Sequence, residues 1–131
     1  MKLSNDDLLL ITDKPIVAEE VISRVKGDEC GAVVTFIGKV RGYSGDKRVL
    51  SLEHSAPGGD AAKTLKDIAG EIRGKWDVRE LVFCYRTGAV AAGEVTLVIA
   101  VATVRRPEAF AACQYAIDRF KEVVAAEEVL E

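Results

Sequence analysis

The sequence predicts one α+β domain in which three helices pack on a mixed, mostly antiparallel sheet. Three observations carry that expectation. Short apolar runs suited to strands recur along the chain, three longer segments space their apolar residues at helical intervals, and glycine or proline punctuates most junctions. The resulting order is β-α-β-β-α-β-β-α, without repeats, low-complexity tracts or an interdomain linker, so residues 1–131 are read as a single compact domain.

The first strand is Leu8–Thr12. Asp13 is placed to cap a following helix with Pro15 in its first turn, and Ile16, Val17, Val21, Ile22 and Val25 follow helical spacing until Gly27. Gly31 to Arg41 reads as a second strand, apolar on both faces and therefore central. Gly42–Arg48 reads as a polar, glycine-punctuated loop. Val49–His54 alternates as a half-buried strand, broken by Ala56-Pro-Gly-Gly-Asp60, with Asp60 as a helix cap. Ala61, Leu65, Ile68, Ile72 and Trp76 trace one face of the second helix. Val78–Tyr85 and Glu94–Thr103 are strands joined by a short connection containing Gly88 and Gly93. The last helix opens near Pro107, with Phe110, Cys113, Ile117, Phe120 and Val124 as its apolar stripe.

A length of 131 residues suffices to bury a core without disulfides or metal. The net charge of -3 argues against nonspecific nucleic-acid binding, so any anion site must be a local cluster. No apolar run reaches membrane-spanning length and the acidic N-terminus is no signal peptide, which makes a cytoplasmic protein the expectation. Cys30, Cys84 and Cys113 are too scattered for a zinc site or a disulfide framework; Cys84 and Cys113 read as small core residues. Dinucleotide and nucleoside triphosphate readings lack their glycine-rich turns.

Two basic clusters stand out. Lys39 and Arg41 end an apolar strand beside Gly42, a way to hold an anion at a rigid scaffold edge. Arg105 and Arg106 precede the last helix, where backbone donors also collect. Arg41 and Arg106 are expected to converge on one anion. The sole histidine, His54, reads as a structural or rim residue.

Taken together, Gly31-Ala-Val-Val-Thr-Phe-Ile-Gly-Lys-Val-Arg41, Leu52-Glu-His54, Tyr85-Arg-Thr-Gly88 with Gly93-Glu94, and Ala109-Phe-Ala-Ala-Cys-Gln-Tyr115 leading to Asp118-Arg-Phe-Lys121 resemble the large, catalytic subunit of molybdopterin synthase. The resemblance implies a homodimer of α+β protomers within a heterotetramer, each protomer binding a small ubiquitin-like sulfur carrier that ends in Gly-Gly. It implies sulfur transfer from that partner's C-terminal thiocarboxylate to cyclic pyranopterin monophosphate, forming the molybdopterin dithiolene, with no cofactor or metal required for the step. By the same resemblance Lys121 is the catalytic lysine and Arg41 and Arg106 bind substrate phosphate, while Lys39 and Arg105 are substrate-binding candidates by their place in the two basic clusters. The homodimer is expected to draw on the apolar strand around Val95–Val101.

Two departures qualify this. Arg105 stands where the family often has histidine, and arginine binds phosphate but cannot exchange protons near neutrality. Beyond Lys121 the family's proline, aromatic and second lysine are absent, and Glu128 takes the second lysine's expected place, where a carboxylate would repel an anionic substrate. A catalytically impaired paralogue that binds a partner or a pterin-like anion is therefore the alternative. A ligand-free dimeric interaction domain is a third reading, which requires the two basic clusters to lie apart.

Overall fold

The structure, a computed structural model, describes residues 7–55 and 61–131, with only the backbone of His54, Ser55 and Ala125. Its elements are β1 (Asp7–Thr12), α1 (Ala18–Ile22), β2 (Ala32–Lys39), β3 (Tyr43–Ser44), β4 (Lys47–Ser55), α2 (Ala61–Lys75), β5 (Val78–Arg86), β6 (Gly88–Ala91), β7 (Val95–Thr103), α3 (Arg106–Val123) and β8 (Ala125–Leu130). The main sheet runs β1-β5-β7-β2, with β1 parallel to β5 and the remaining pairs antiparallel. This is the expected α+β class with three helices.

Alternation along β5 and β7 builds two layers of core. Leu81, Phe83, Tyr85, Leu97, Ile99 and Val101 point toward α2 and α3, while Val82, Cys84, Val98 and Ala100 point toward Val21 of α1. Both faces of these two strands are covered, which is why they read as continuous apolar runs.

The expectation of a central Gly31–Arg41 strand is corrected. β2 is an edge strand, paired only with β7, and its burial alternates. Val34 and Phe36 pack on the α2/α3 core, whereas Val33 and Ile37 on the other face remain 47% and 43% exposed. A run that is apolar on both faces can thus mark an edge with an uncovered side. Gly31 has a specific reason to be glycine: a Cβ there would lie 2.6 Å from the Val104 carbonyl oxygen, which accepts the Gly31 N–H.

Three local readings also change. The first helix spans only Ala18–Ile22; Val17 is its N-cap residue and Asp13 makes no cap. Such a short helix, rich in branched residues, is marginal and rests on packing rather than propensity. Gly42–Arg48 is not an open loop, because Tyr43 and Ser44 pair with Arg48 and Lys47 around Gly45, whose φ of 63° suits a tight hairpin turn. On α3 the buried face is Ala109, Ala112, Cys113, Ala116 and Phe120, and Phe110 is 62% exposed. Alanines let the helix lie close to the sheet, and that contact turns Phe110 outward. Asp60 and the break at residues 56–59 lie outside the described residues.

A second, smaller sheet centres on β4. It pairs antiparallel with β3, β6 and β8 over a small core of Val40, Val49 and Val90. β8 is formed by the tail beyond α3, with Glu128 opposite Leu52. The Tyr85-Arg-Thr-Gly88 and Gly93-Glu94 pieces have a structural role here. Arg86 donates to Glu94 at 2.9 Å, Glu94 accepts the Ala91 N–H at 3.0 Å, and together they brace the junction of β5, β6 and β7.

Candidate active site

A cavity of about 440 Å³ opens where β2, α3 and β8 meet. Its floor is apolar, made by Phe36, Leu97 and Phe120. Gly38, Lys39 and Arg41 come from the end of β2 and the residues just after it, Lys121 and Val124 from the end of α3, and Ala126 and Glu128 from β8. Local structure explains the convergence. The β2–β7 register shifts between Gly38 and Lys39, and Val40 is buried in the small core, with its N–H donated to the Glu94 carbonyl and its own carbonyl accepting from Gly93. Arg41 follows that anchored residue directly. On α3, Phe120 is seated against Tyr85, ring centroids 4.9 Å apart, so the next residue, Lys121, is exposed at the rim.

Arg41 is held by the protein itself. Its Nε and Nη2 donate to the two carboxylate oxygens of Glu128 at 2.8 and 2.9 Å, and Nη2 also donates to Ser44 Oγ at 3.2 Å. The Arg41 hydrogen bonds draw the Glu128 carboxyl below its ordinary pKa and raise that of Arg41. Lys39 and Lys121 show no ion pair among the described residues. The cavity therefore presents three cations and one carboxylate, which is already neutralised by Arg41.

Of the residues expected to act, Lys39, Arg41 and Lys121 come together. Arg105 and Arg106 do not join them within a protomer. They precede and open α3, whereas Lys121 is near its end, and fifteen residues of helix separate Arg106 from Lys121 by about 22 Å. β2 tells the same story, because Ala32 lies beside Thr103 and Lys39 beside Val95 at the opposite end. The expected convergence of Arg41 and Arg106 is therefore absent within one protomer.

Glu128 also differs from its expected part. It lines the cavity, but as the partner of Arg41 rather than as an unopposed negative charge. Sequence reasoning missed Ser44 and Ala126 as well. The alternate residues Ala126 and Glu128 share the cavity-facing side of a strand that the polar tail does not announce. Cys84 and Cys113 are buried core residues as expected, and burial pushes the Cys113 thiol up to about 11 and raises that of Cys84; at partly exposed Cys30, burial and then Glu80 raise the thiol.

Comparisons with known proteins agree with this architecture. The family model described as MoaE protein matches residues 11–123. A molybdopterin synthase catalytic subunit from Bacillus subtilis is 40% identical over 87% of this chain and 73% of its own length. The human protein of the same name is 33% identical over 88% of this chain and 61% of its own. A crystal structure of molybdopterin synthase from Staphylococcus aureus superposes with a TM-score of 0.81 at 31% identity, covering 93% of this chain and 90% of that one. A complex of subunits 1 and 2 of molybdopterin-converting factor from Helicobacter pylori shares the fold, with a TM-score of 0.74 at 16% identity over 94% of this chain and 85% of that one. With the motif-bearing strand, the brace at Arg86 and Glu94 and the basic cavity all in place, the chain belongs to the MoaE family, that of the molybdopterin synthase catalytic subunits.

Proposed function

We propose that this protein transfers sulfur from the thiocarboxylated C-terminus of a small ubiquitin-like subunit to cyclic pyranopterin monophosphate, building the molybdopterin dithiolene in the cytoplasm. The observation that carries the reading is the meeting of Lys39, Arg41 and Lys121 over one apolar-floored cavity. Two anions must meet in this reaction, the thiocarboxylate and the substrate phosphate, and their repulsion must be offset while the cyclic phosphate opens. Arg41 and Lys39 hold the phosphate. Lys121 receives the partner's terminal glycine, pairing with its thiocarboxylate or moving a proton beside it. The apolar floor supports the pterin ring system and strengthens the charge interactions above it.

Arg105 and Arg106 serve a cavity only from a second protomer, which fits a homodimer carrying one small subunit on each half. Exposed apolar side chains on offer for that contact include Val33, Ile37, Val104 and Phe110, whereas the Val95–Val101 strand is interior to the sheet. The second reading, a paralogue that binds without turnover, is favoured by one feature: Arg41 already carries a carboxylate.

Incubating the protein with a thiocarboxylated partner and cyclic pyranopterin monophosphate separates the readings. Dithiolene product supports sulfur transfer. Binding of the partner's tail without product supports the impaired paralogue.

A further inference from the structure

The carboxylate on Arg41 occupies only part of the guanidinium. An arginine offers five N–H donors in a rigid fork. The Nε hydrogen and one Nη2 hydrogen go to Glu128, and the other Nη2 hydrogen goes to Ser44. No partner is seen for Nη1 among the described residues, so that end of the fork is left with two donors beside the cavity.

The two members of the pair are not equally fixed. Glu128 stands on a strand whose backbone is paired with β4 on both sides of it, and its side chain is 25% exposed. The Arg41 side chain is 65% exposed and belongs to a residue beyond the end of its strand. The carboxylate is thus the stationary partner, and the guanidinium is the group whose rotamers it restricts.

We propose that Glu128 is a positioning residue: it grips the Nε–Nη2 edge of Arg41 and so presents Nη1 to a phosphate-type anion entering between Lys39 and Lys121. This rests on the reading of the cavity as a phosphate-binding active site. The carboxylate does repel an incoming anion at longer range, but its charge is matched by Arg41, and Lys39 and Lys121 remain as an uncancelled surplus. Fixing the fork before the ligand arrives removes the ordering cost that a free arginine would bear on binding. β8 then belongs to the site as the element that aims Arg41.

The test is a double-mutant cycle read by phosphate binding, with inorganic phosphate titrated into the full chain and followed by ¹⁵N NMR. Wild type is expected to show a sharp, protected Arg41 Nε–H signal that shifts with phosphate. Glu128→Ala should lose that protection and bind phosphate about tenfold more weakly, a factor that corresponds to roughly 1.4 kcal/mol. In an Arg41→Ala background, Glu128→Ala should bring no further weakening, because the carboxylate acts through the arginine. Glu128→Gln, which keeps the shape of the side chain, should fall between wild type and Glu128→Ala. It also serves as the working variant should Glu128→Ala fold poorly.

Equal or tighter phosphate binding after loss of the Glu128 charge overturns the proposal, since Glu128 would then be a plug on Arg41. Phosphate that leaves the wild-type Arg41 signal unmoved at millimolar concentration overturns it too. The two readings fail separately. Coupling without sulfur-transfer product leaves the positioning role intact at an anion site, whereas product without coupling removes the positioning role and spares the enzyme.

Discussion

Arg41 and Glu128 lie 87 residues apart in sequence and share one hydrogen-bonded fork. That pairing reverses an expectation about charge at position 128. Glu128→Lys would place an ammonium against the guanidinium it now neutralises, and it should weaken phosphate binding. The position that can accept a cation is Ala126, which lines the same cavity two residues earlier on β8 with an exposed side chain. Ala126→Lys should tighten phosphate binding a few-fold, an effect that fades with added salt as expected for exposed charges. Titration at low and high ionic strength checks both variants, and a tighter Glu128→Lys variant would count against the assignment of Arg41. At this scale the sequence was informative about residue type and silent about partners. Lys39 and Arg41 were singled out by their place at the end of an apolar strand, whereas Lys121 was singled out only through the family resemblance. The Glu128 contact was not legible, because nothing local to either residue encodes it.

The elements carry the site through a few junctions that single substitutions can probe. Gly31 meets Val104 where β2 and β7 begin and end, with no room for a Cβ against the carbonyl oxygen. Gly31→Ala should therefore cost about 1–3 kcal/mol, as overpacking does. Gly70, on the exposed side of α2 with nothing within 4 Å of an added Cβ, is the contrasting case, and Gly70→Ala should stabilise by about 0.4–1 kcal/mol. Urea midpoints measured together decide both signs. Between α2 and α3, Glu71 accepts from Arg119 at 2.8 Å and from the Tyr115 hydroxyl, and these bonds lower its carboxyl to about 2. A carboxyl depressed in the folded state contributes stability above its unfolded value near 4.5, and that contribution is lost as pH falls toward about 2. Glu71→Gln should flatten the decline of the urea midpoint across that window, and an unchanged slope would dismiss the contribution. Strand and helix positions were readable where the apolar pattern is unbroken, as in the continuous runs of β5 and β7 and the helical spacing of α2. They were misread where tertiary contact decides: α1 shrank to a turn and a half, the alanine face of α3 displaced Phe110, and the tail became β8.

For the whole molecule, one protomer's cavity gathers only part of the cationic set proposed for the site, because α3 keeps Arg106 and Lys121 at opposite ends. The apolar side chains that remain exposed on β2 and near the start of α3 give a second copy something to bury. Sedimentation in dilute solution should return about twice the protomer mass of 14.1 kDa, and a strictly monomeric species would leave Arg105 and Arg106 without a site. The fold class could be read from periodicity and element order, and the family from the resemblance of an ordered set of motifs. The separation of Arg106 from Lys121 follows from helix length and was legible too, but which of those ends Arg41 joins was not, because it depends on the edge and register that β2 takes against β7. The central claim is that the cavity at β2, α3 and β8 is where sulfur is transferred, and Lys121 tests it most directly. In a single turnover with thiocarboxylated partner and cyclic pyranopterin monophosphate, Lys121→Ala should form no dithiolene while its unfolding free energy from urea titration stays within about 0.5 kcal/mol of wild type, as for an exposed residue. Dithiolene formed by Lys121→Ala at the wild-type rate would contradict the account.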